Sequence, residues 1–397
     1  MRVMQIVDDV IAKSQSNLLK RQQASLRAGI EALLRGGRLT LTALGRSLRS
    51  TARIKHQIRR IDRLLGNPRM HAQRVALYRA ISQTVVGTTR RPVILIDWSG
   101  LTEDGRMHLL RASVPQRGRS LTLYEEVHPI TKLGNRRVHF LFLQTLKTLL
   151  PPKCRPVIVT DGGFRCPWLQ MVRRMEWDWV GRLRKRTMVN LDGHKTTWIS
   201  SEQIYARATT QPQCLGEATL AASNPTPCRL VIVREPKKGR VAKNRKGSPS
   251  RTIRSQVNAT RAREPWLLTT SLCHISPRQI VAIYKRRMVI EESFRDLKSP
   301  HLGWGVERAK SHCTQRLQML LLIGAFALLA IWLVGLCARA RQIHLHLQAN
   351  TIRDRYVFSL FSLGSLVLRL GLSNFPKRQL LRQLHAIKLA IPTAESS

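Results

Sequence analysis

Carboxylates are scarce in this chain. Its 397 residues hold 23 Asp and Glu against 68 Lys and Arg, a formal net charge of +45. A field of that sign binds polyanions without specificity and draws them in quickly. Nucleic acid is the expected partner and an anionic membrane surface the second choice. With so few acids, any cluster of them at a strand end or on a helix face is worth following. Paired cysteines are missing as well: the seven lie at 154, 166, 214, 228, 273, 313 and 337, and no CxxC occurs. That excludes a zinc ribbon or a redox motif, and the odd count and wide spacing fit reduced thiols in a cytosolic protein. The opening residues, MRVMQIVDDVIAKSQ, lack the apolar core of a signal peptide. Long apolar runs are confined to one, from Met319 to Cys337. Its length alone suits a membrane span. With no second span and with Arg316, Arg339 and Arg341 flanking it, a helix buried inside a large domain is the better reading, and no membrane association is expected. Apolar residues make up 43% of the chain, enough for a substantial core, which excludes a disordered basic tail.

Residues 1–85 read as a helical domain. Leu18, Leu19, Leu26, Ile30, Leu33 and Leu34 recur at helical spacing. The stretch LTLTALGRSL (39–48) resembles the compact helix-turn-helix pattern, with Gly45 at a turn. A basic helix follows, TARIKHQIRRIDRLLGN. On it Lys55, Arg59, Arg60 and Arg63 form a cationic face suited to DNA, while Ile54, Ile58, Ile61, Leu64 and Leu65 can face a core.

From Arg91 the texture changes. RPVILIDWSGL holds a buried strand ending at Asp97, and two β-like segments follow at 106–114 and 119–127 around a turn at Pro115–Gly118. A helix is expected at 136–149, a strand ending at Asp161, a helix over CPWLQMVRRM and a further strand at 177–184. Three strands, a helix, a strand, a helix and a strand is the order of the ribonuclease-H-like fold, which carries acids at the ends of its first and fourth strands. Residues 185–264 read as a β-rich insertion with a basic loop between Arg234 and Arg263. The core resumes at 265–338 with the strand EPWLLTTSL, and a C-terminal helical region occupies 339–397. Ser276 and Pro277 start a helix over 277–298. On it Tyr284, Arg287, Glu291 and Lys298 fall along one face.

Two acids at strand ends and one on a helix, Asp97, Asp161 and Glu291, make a nest for two divalent ions. Hard oxygen ligands suit Mg²⁺, with Mn²⁺ a substitute. Glu292 is the rival for the third position.

The spacing Y-(2)-R-(3)-E-(6)-K over Tyr284, Arg287, Glu291 and Lys298 resembles the signature of DDE transposases of the IS-four family, with the insertion-sequence-ten group the most similar. LTLTALGRSL, RIDRLLGN, VILIDWS, RASV followed by GRSLTLYE, EPWLLTTSL and IEESFRDLKSP carry the same likeness, which extends over about residues 15 to 365. The resemblance implies an α/β fold with a ribonuclease-H-like core interrupted by a β-strand insertion. It implies a catalytic, metal-binding triad of Asp97, Asp161 and Glu291, with Tyr284, Arg287 and Lys298 on DNA phosphates. It also implies a bacterial, cytoplasmic, nucleoid-associated enzyme that works as a homodimer on double-stranded DNA. Such an enzyme cuts at terminal inverted repeats by nicking, hairpin formation and hairpin opening, then joins the 3′ ends to target DNA. Trp266 matches a tryptophan that stacks on a flipped base in relatives, although a core tryptophan on a strand is the other reading. Trp98 is expected to pack, and His344 and His346 to be surface or packing residues. A related nuclease without joining activity and a catalytically silent DNA-binding protein are the alternatives.

Overall fold

The computed structural model describes residues 1–184, 187–191, 197–236, 248–249, 252–253, 255, 264–352 and 354–395. Most of the expected basic loop at 234–263 lies outside the described residues. The chain forms two compact units, residues 1–156 with 287–393, and residues 157–286 with 394–397.

The first unit begins with five helices: α1 (Val3–Lys13), α2 (Lys20–Leu34), α3 (Leu41–Arg46), α4 (Ile54–Leu65) and α5 (Pro68–Val86). Three antiparallel strands follow in the order β3-β2-β1, namely β1 (Val93–Gly100), β2 (Met107–Gln116) and β3 (Arg119–Pro129), and then α6 (Arg136–Leu149). After the second unit come α10 (Met288–Lys298), α11 (Thr314–Ala340), α12 (Ile343–Leu347), α13 (Leu360–Arg369) and α14 (Lys377–Leu389). The long apolar run lies in α11, which has the length and composition to cross a membrane. Its most apolar window, mean hydropathy 2.7, is 94% buried within the protein. It packs against α1, α2, α4, α5, β3, α13 and α14. A helix apolar on every side requires such neighbours on every side.

The structure departs from the sequence expectation at β1, Gly45 and Ile54. Strand β1 runs past Asp97 to Gly100, because Trp98, Ser99 and Gly100 pair with Leu110, Leu109 and His108 of β2. Gly45 is not at a turn. It sits inside α3, where a Cβ would come 2.7 Å from the Cα of Ile58, so glycine is what lets α3 and α4 meet so closely. Ile54 does not face the core: it is 49% exposed, whereas Ile61, Leu64 and Leu65 are buried.

The second unit is a sheet in the order β4-β5-β10-β9-β8-β6-β7. Its strands are β4 (Val157–Thr160), β5 (Asp178–Leu183), β6 (Met188–Asn190), β7 (Ile199–Ser200), β8 (Gln213–Leu220), β9 (Thr226–Val233) and β10 (Trp266–Thr270). Strands β4 and β5 are parallel, and the remaining pairs antiparallel. Helix α7 (Cys166–Arg174) joins β4 to β5, and the short α8 (Ser201–Ile204) follows β7. The inserted strands continue the same sheet, since β9 pairs with β10 from Trp266↔Val233 to Thr270↔Arg229.

The helix expected over 277–298 is two. α9 (Pro277–Lys285) belongs to the second unit and α10 to the first. Ser276 caps α9 as anticipated, its side chain accepting from the Gln279 N–H above Pro277 at the first turn. At Arg286–Arg287 the four-residue ladder gives way to three-residue bonds, Arg286 N–H to Ile283 O and Ile290 N–H to Arg287 O. Such tighter turns end a regular helix without any Pro or Gly. Tyr284 therefore does not share one helix face with Arg287, Glu291 and Lys298.

Candidate active site

In the first unit, two carboxylates far apart in sequence meet one guanidinium. Asp97 Oδ2 accepts from Arg287 Nη1 at 3.2 Å, and Glu291 Oε1 accepts from Arg287 Nη2 at 2.7 Å. Asp97 is 9% exposed on β1, and its Oδ1 accepts from the Trp98 N–H at 2.8 Å. Glu291 stands in the first turn of α10, where a carboxylate is also favoured by the helix dipole. Glu292, one residue on, turns to Arg295 at 2.8 Å and to Arg119 at 3.9 Å. Of the two glutamates, Glu291 is the one that shares a cation with Asp97.

Helix α10 is fixed to the sheet by polar contacts that the sequence reading missed. The Ser120 N–H donates to Ser293 Oγ at 2.7 Å, and Arg119 Nε donates to Asp296 Oδ2 at 2.5 Å. At its end Lys298 Nζ donates to Ser99 Oγ at 3.1 Å, two residues beyond Asp97 on β1. Burial first, and the Lys298 charge second, lower the pKa of His108 nearby.

Behind Asp97 lies an aromatic layer. Trp98 packs with its ring 5.7 Å from His128 and 5.9 Å from His139, and its Nε1 donates to His139 Nε2 at 3.0 Å. Burial, helped by His128, pushes the His139 pKa down to about 4, so the ring stays neutral and able to accept. An unfolded chain with an ordinary His, near 6.5, takes up a proton in that window while the folded one does not. Stability is therefore expected to fall as pH drops from about 6.5 toward about 4. Denaturant unfolding followed by Trp fluorescence should show this slope, and His139→Gln, which still accepts from Trp98, should flatten it. An equal slope in the variant would assign the dependence to other groups.

In the second unit Asp161 directly follows β4. Its Oδ1 accepts from the Gly163 N–H at 2.8 Å. A Cβ on residue 163 would come 3.0 Å from that oxygen, so the second glycine of the DGG turn leaves the carboxylate room. Trp266 is partly buried at the start of β10, with its ring edge-on to that of Tyr284, centroids 5.0 Å apart at 74°. Tyr284 itself is only 4% exposed.

Lys55, Arg59, Arg60 and Arg63 are all exposed on α4, whose opposite side buries Gln57, Ile61, Leu64 and Leu65. Arg60 and Arg63 line a surface groove of about 320 Å³ together with Arg21, Ser25 and Asn67. His344 is buried and packs against Tyr356, with ring centroids 5.0 Å apart and the rings tilted at 53°, while His346 is exposed. Among the described residues, no group of three or more His, Cys, Asp and Glu side chains is arranged to hold a metal ion. The donor chemistry of the Asp97–Glu291 pair nevertheless suits a hard cation: two oxygen ligands already converge on one positive charge.

The transposase DDE domain family model matches residues 90–329 of the chain. No curated protein sequence matches it.

Proposed function

Since the chain belongs to the transposase DDE domain family, an enzyme family that acts on DNA, we propose that it is a cut-and-paste transposase of the IS-four family, nearest to the insertion-sequence-ten group, with a ribonuclease-H-like core. In this reading Asp97, Asp161 and Glu291 supply the carboxylates, and the helices up to residue 85 recognise the element's terminal repeats. The convergence of Asp97 and Glu291 on Arg287, across nearly two hundred residues of sequence, is the observation that carries the proposal. Divalent ions, Mg²⁺ or Mn²⁺, bound by these carboxylates would activate an attacking water or 3′-hydroxyl and stabilise the leaving oxygen. Arg287 neutralises two acids in the free protein. Once these carboxylates have other partners, its guanidinium is released to a DNA phosphate, which it can grip in bidentate fashion. Lys298, held beside β1 by Ser99, places a second positive charge at the same strand end. A homodimer on double-stranded DNA, working in the bacterial cytoplasm, completes the proposal.

The test of the assignment is cleavage of a duplex carrying the element's end in Mg²⁺, with 3′-hydroxyl products read on denaturing gels. Two further outcomes are expected. Replacing Lys55, Arg59, Arg60 and Arg63 by Gln should lower the slope of log affinity against log salt by about 0.9 for each phosphate that is no longer neutralised. Discrimination between repeat and random DNA should fall with it. Unchanged discrimination would place recognition elsewhere. Trp266→Ala should spare nicking and diminish hairpins by roughly five- to 150-fold, the equivalent of about 1–3 kcal/mol of base stacking. Equal loss of both steps together with a lower Tm would make Trp266 a core residue packed on Tyr284.

A further inference from the structure

Away from the carboxylates, the first unit gathers cations around one tyrosine. Tyr356, in the segment between α12 and α13, is 49% exposed. The Arg339 guanidinium lies 4.2 Å from the centre of its ring, that of Arg117 lies 5.5 Å away, and the His344 ring is 5.0 Å away. Arg339 comes from the last turn of α11, His344 from α12 and Arg117 from the β2–β3 turn, so four separate stretches of chain converge on one aromatic ring.

The electrostatics of this cluster are unbalanced. Cation–π attraction holds each arginine to the ring. The two guanidiniums still repel one another: burial first, and then the Arg117 charge, lower the pKa of Arg339, against the opposing pull of Tyr356. Burial and Arg339 likewise lower the pKa of His344. Among the described residues, none of Arg117, Arg339 and His344 has a carboxylate partner. Two of the nitrogens, Arg339 Nε and His344 Nδ1, are buried with no hydrogen-bond partner, and His344 as a whole is only 8% exposed. The unpartnered Arg339 Nε–H and the two guanidinium charges, open to solvent through Arg117 and Tyr356, are complementary to an anion.

The position says which anion. Arg117 lies two residues before Arg119, the first residue of β3, which holds Asp296 of α10. Along that helix Glu291 and Asp296 are separated by about 7.5 Å at 1.5 Å per residue. A strand that followed α10 from a phosphate at Glu291 would pass the β2–β3 turn within a few nucleotides.

We propose that Arg117, Arg339 and Tyr356 form a second, non-catalytic contact for the DNA backbone, which takes a phosphodiester on the two guanidiniums with the tyrosine ring as their platform. The contact rests on the reading of the chain as a DNA-acting enzyme, and it adds a site that holds DNA beside the reaction without touching the reacting phosphate.

Fluorescence anisotropy of the full chain with a labelled random-sequence duplex, titrated between about 50 and 300 mM salt, tests it. Arg117→Ala should reduce the slope of log Kd against log salt by up to about 0.9, and the pair Arg117→Ala with Arg339→Ala by up to about twice that. Tyr356→Phe should bind as the wild type does, and Tyr356→Ala should resemble the arginine variants. Lys13→Ala removes an equally exposed charge from α1 and should leave the slope unchanged. If the double variant does not fold, Arg117→Glu on the exposed turn should still weaken binding more than Lys13→Glu. Wild-type slopes in the Arg117 variants, or equal losses from Lys13 and Arg117, would overturn the contact. A rise in wild-type Tm with inorganic phosphate, abolished in Arg117→Ala while the DNA slopes stay equal, would make this a small-anion site and also overturn it. Wild-type protein that binds no duplex at any salt would refute the DNA-acting reading itself, a result distinct from either.

Discussion

Asp97→Ala, Asp161→Ala and Glu291→Ala should each reduce strand cleavage by at least about 10³-fold while DNA binding stays close to that of the wild type. The size follows from losing several kcal/mol of charge stabilisation at the reacting phosphate, at about 1.36 kcal/mol for each factor of ten. Binding survives because its main source is the +45 net charge spread over the whole chain. Glu292→Ala is the informative contrast. Its side chain pairs with Arg295 and does not meet Arg287, so cleavage should persist. A gel-shift and cleavage series in Mg²⁺ separates these outcomes. Robust cleavage by Glu291→Ala, with loss in Glu292→Ala, would reverse the assignment of the helical acid.

The largest loss of stability is expected at a pair that takes no part in the reaction. Arg111 on β2 and Glu125 on β3 are direct cross-strand partners, with side chains 4% and 2% exposed. Tyr78 of α5 donates to the second Glu125 oxygen at 3.0 Å, and Arg74 donates to the Glu125 backbone carbonyl at 2.6 Å. The Arg111 guanidinium also lies 4.8 Å from the Phe294 ring on α10. Burial, with the Glu125 charge adding to it, raises the Tyr78 pKa well above its ordinary value, so its hydroxyl remains a donor. Removing one member leaves a buried charge unpaired, at a cost of about 3–5 kcal/mol. Glu125→Ala should therefore lower the Tm by roughly 6–20 °C for a unit of this size. Thermal unfolding followed by circular dichroism measures it. A change under about 1 kcal/mol would mean that water reaches the pair.

Legibility in the sequence follows the strength of the local signal. Asp97 and Asp161 stand out because an apolar run precedes each, and Ser276–Pro277 because cap and first-turn chemistry is local. The break at Arg286–Arg287 is hidden, since no Pro or Gly marks it and the apolar spacing continues through it. Gly45 misleads because glycine signals a turn and a close helix contact equally well, and only the position of Ile58 distinguishes them. The Arg111–Glu125 pair escapes a strand reading that looks for apolar residues. The expected turn at Pro115–Gly118 is narrower, because Pro115 and Gln116 pair with Ser120 and Arg119. Counting outward from it sets Arg111 opposite Tyr124, and only the bulge between Ala112 and Ser113 brings Arg111 opposite Glu125. The sharing of Arg287 by Asp97 and Glu291 depends on side-chain placement across the fold, for which the sequence carries no periodic signal.

The reaction proposed for this chain is metal-dependent DNA strand transfer without a covalent protein intermediate. The most direct measurement incubates the wild-type protein and Mg²⁺ with an end-labelled duplex bearing the element's terminal repeat and flanking DNA, together with a target plasmid. Products are resolved on denaturing gels before and after protease treatment. A free 3′-hydroxyl nick, then a hairpin on the flank, then label joined to the plasmid are expected, all unaffected by protease and absent with EDTA. Label that stays attached to protein until protease is added, or cleavage that persists in EDTA, would contradict it.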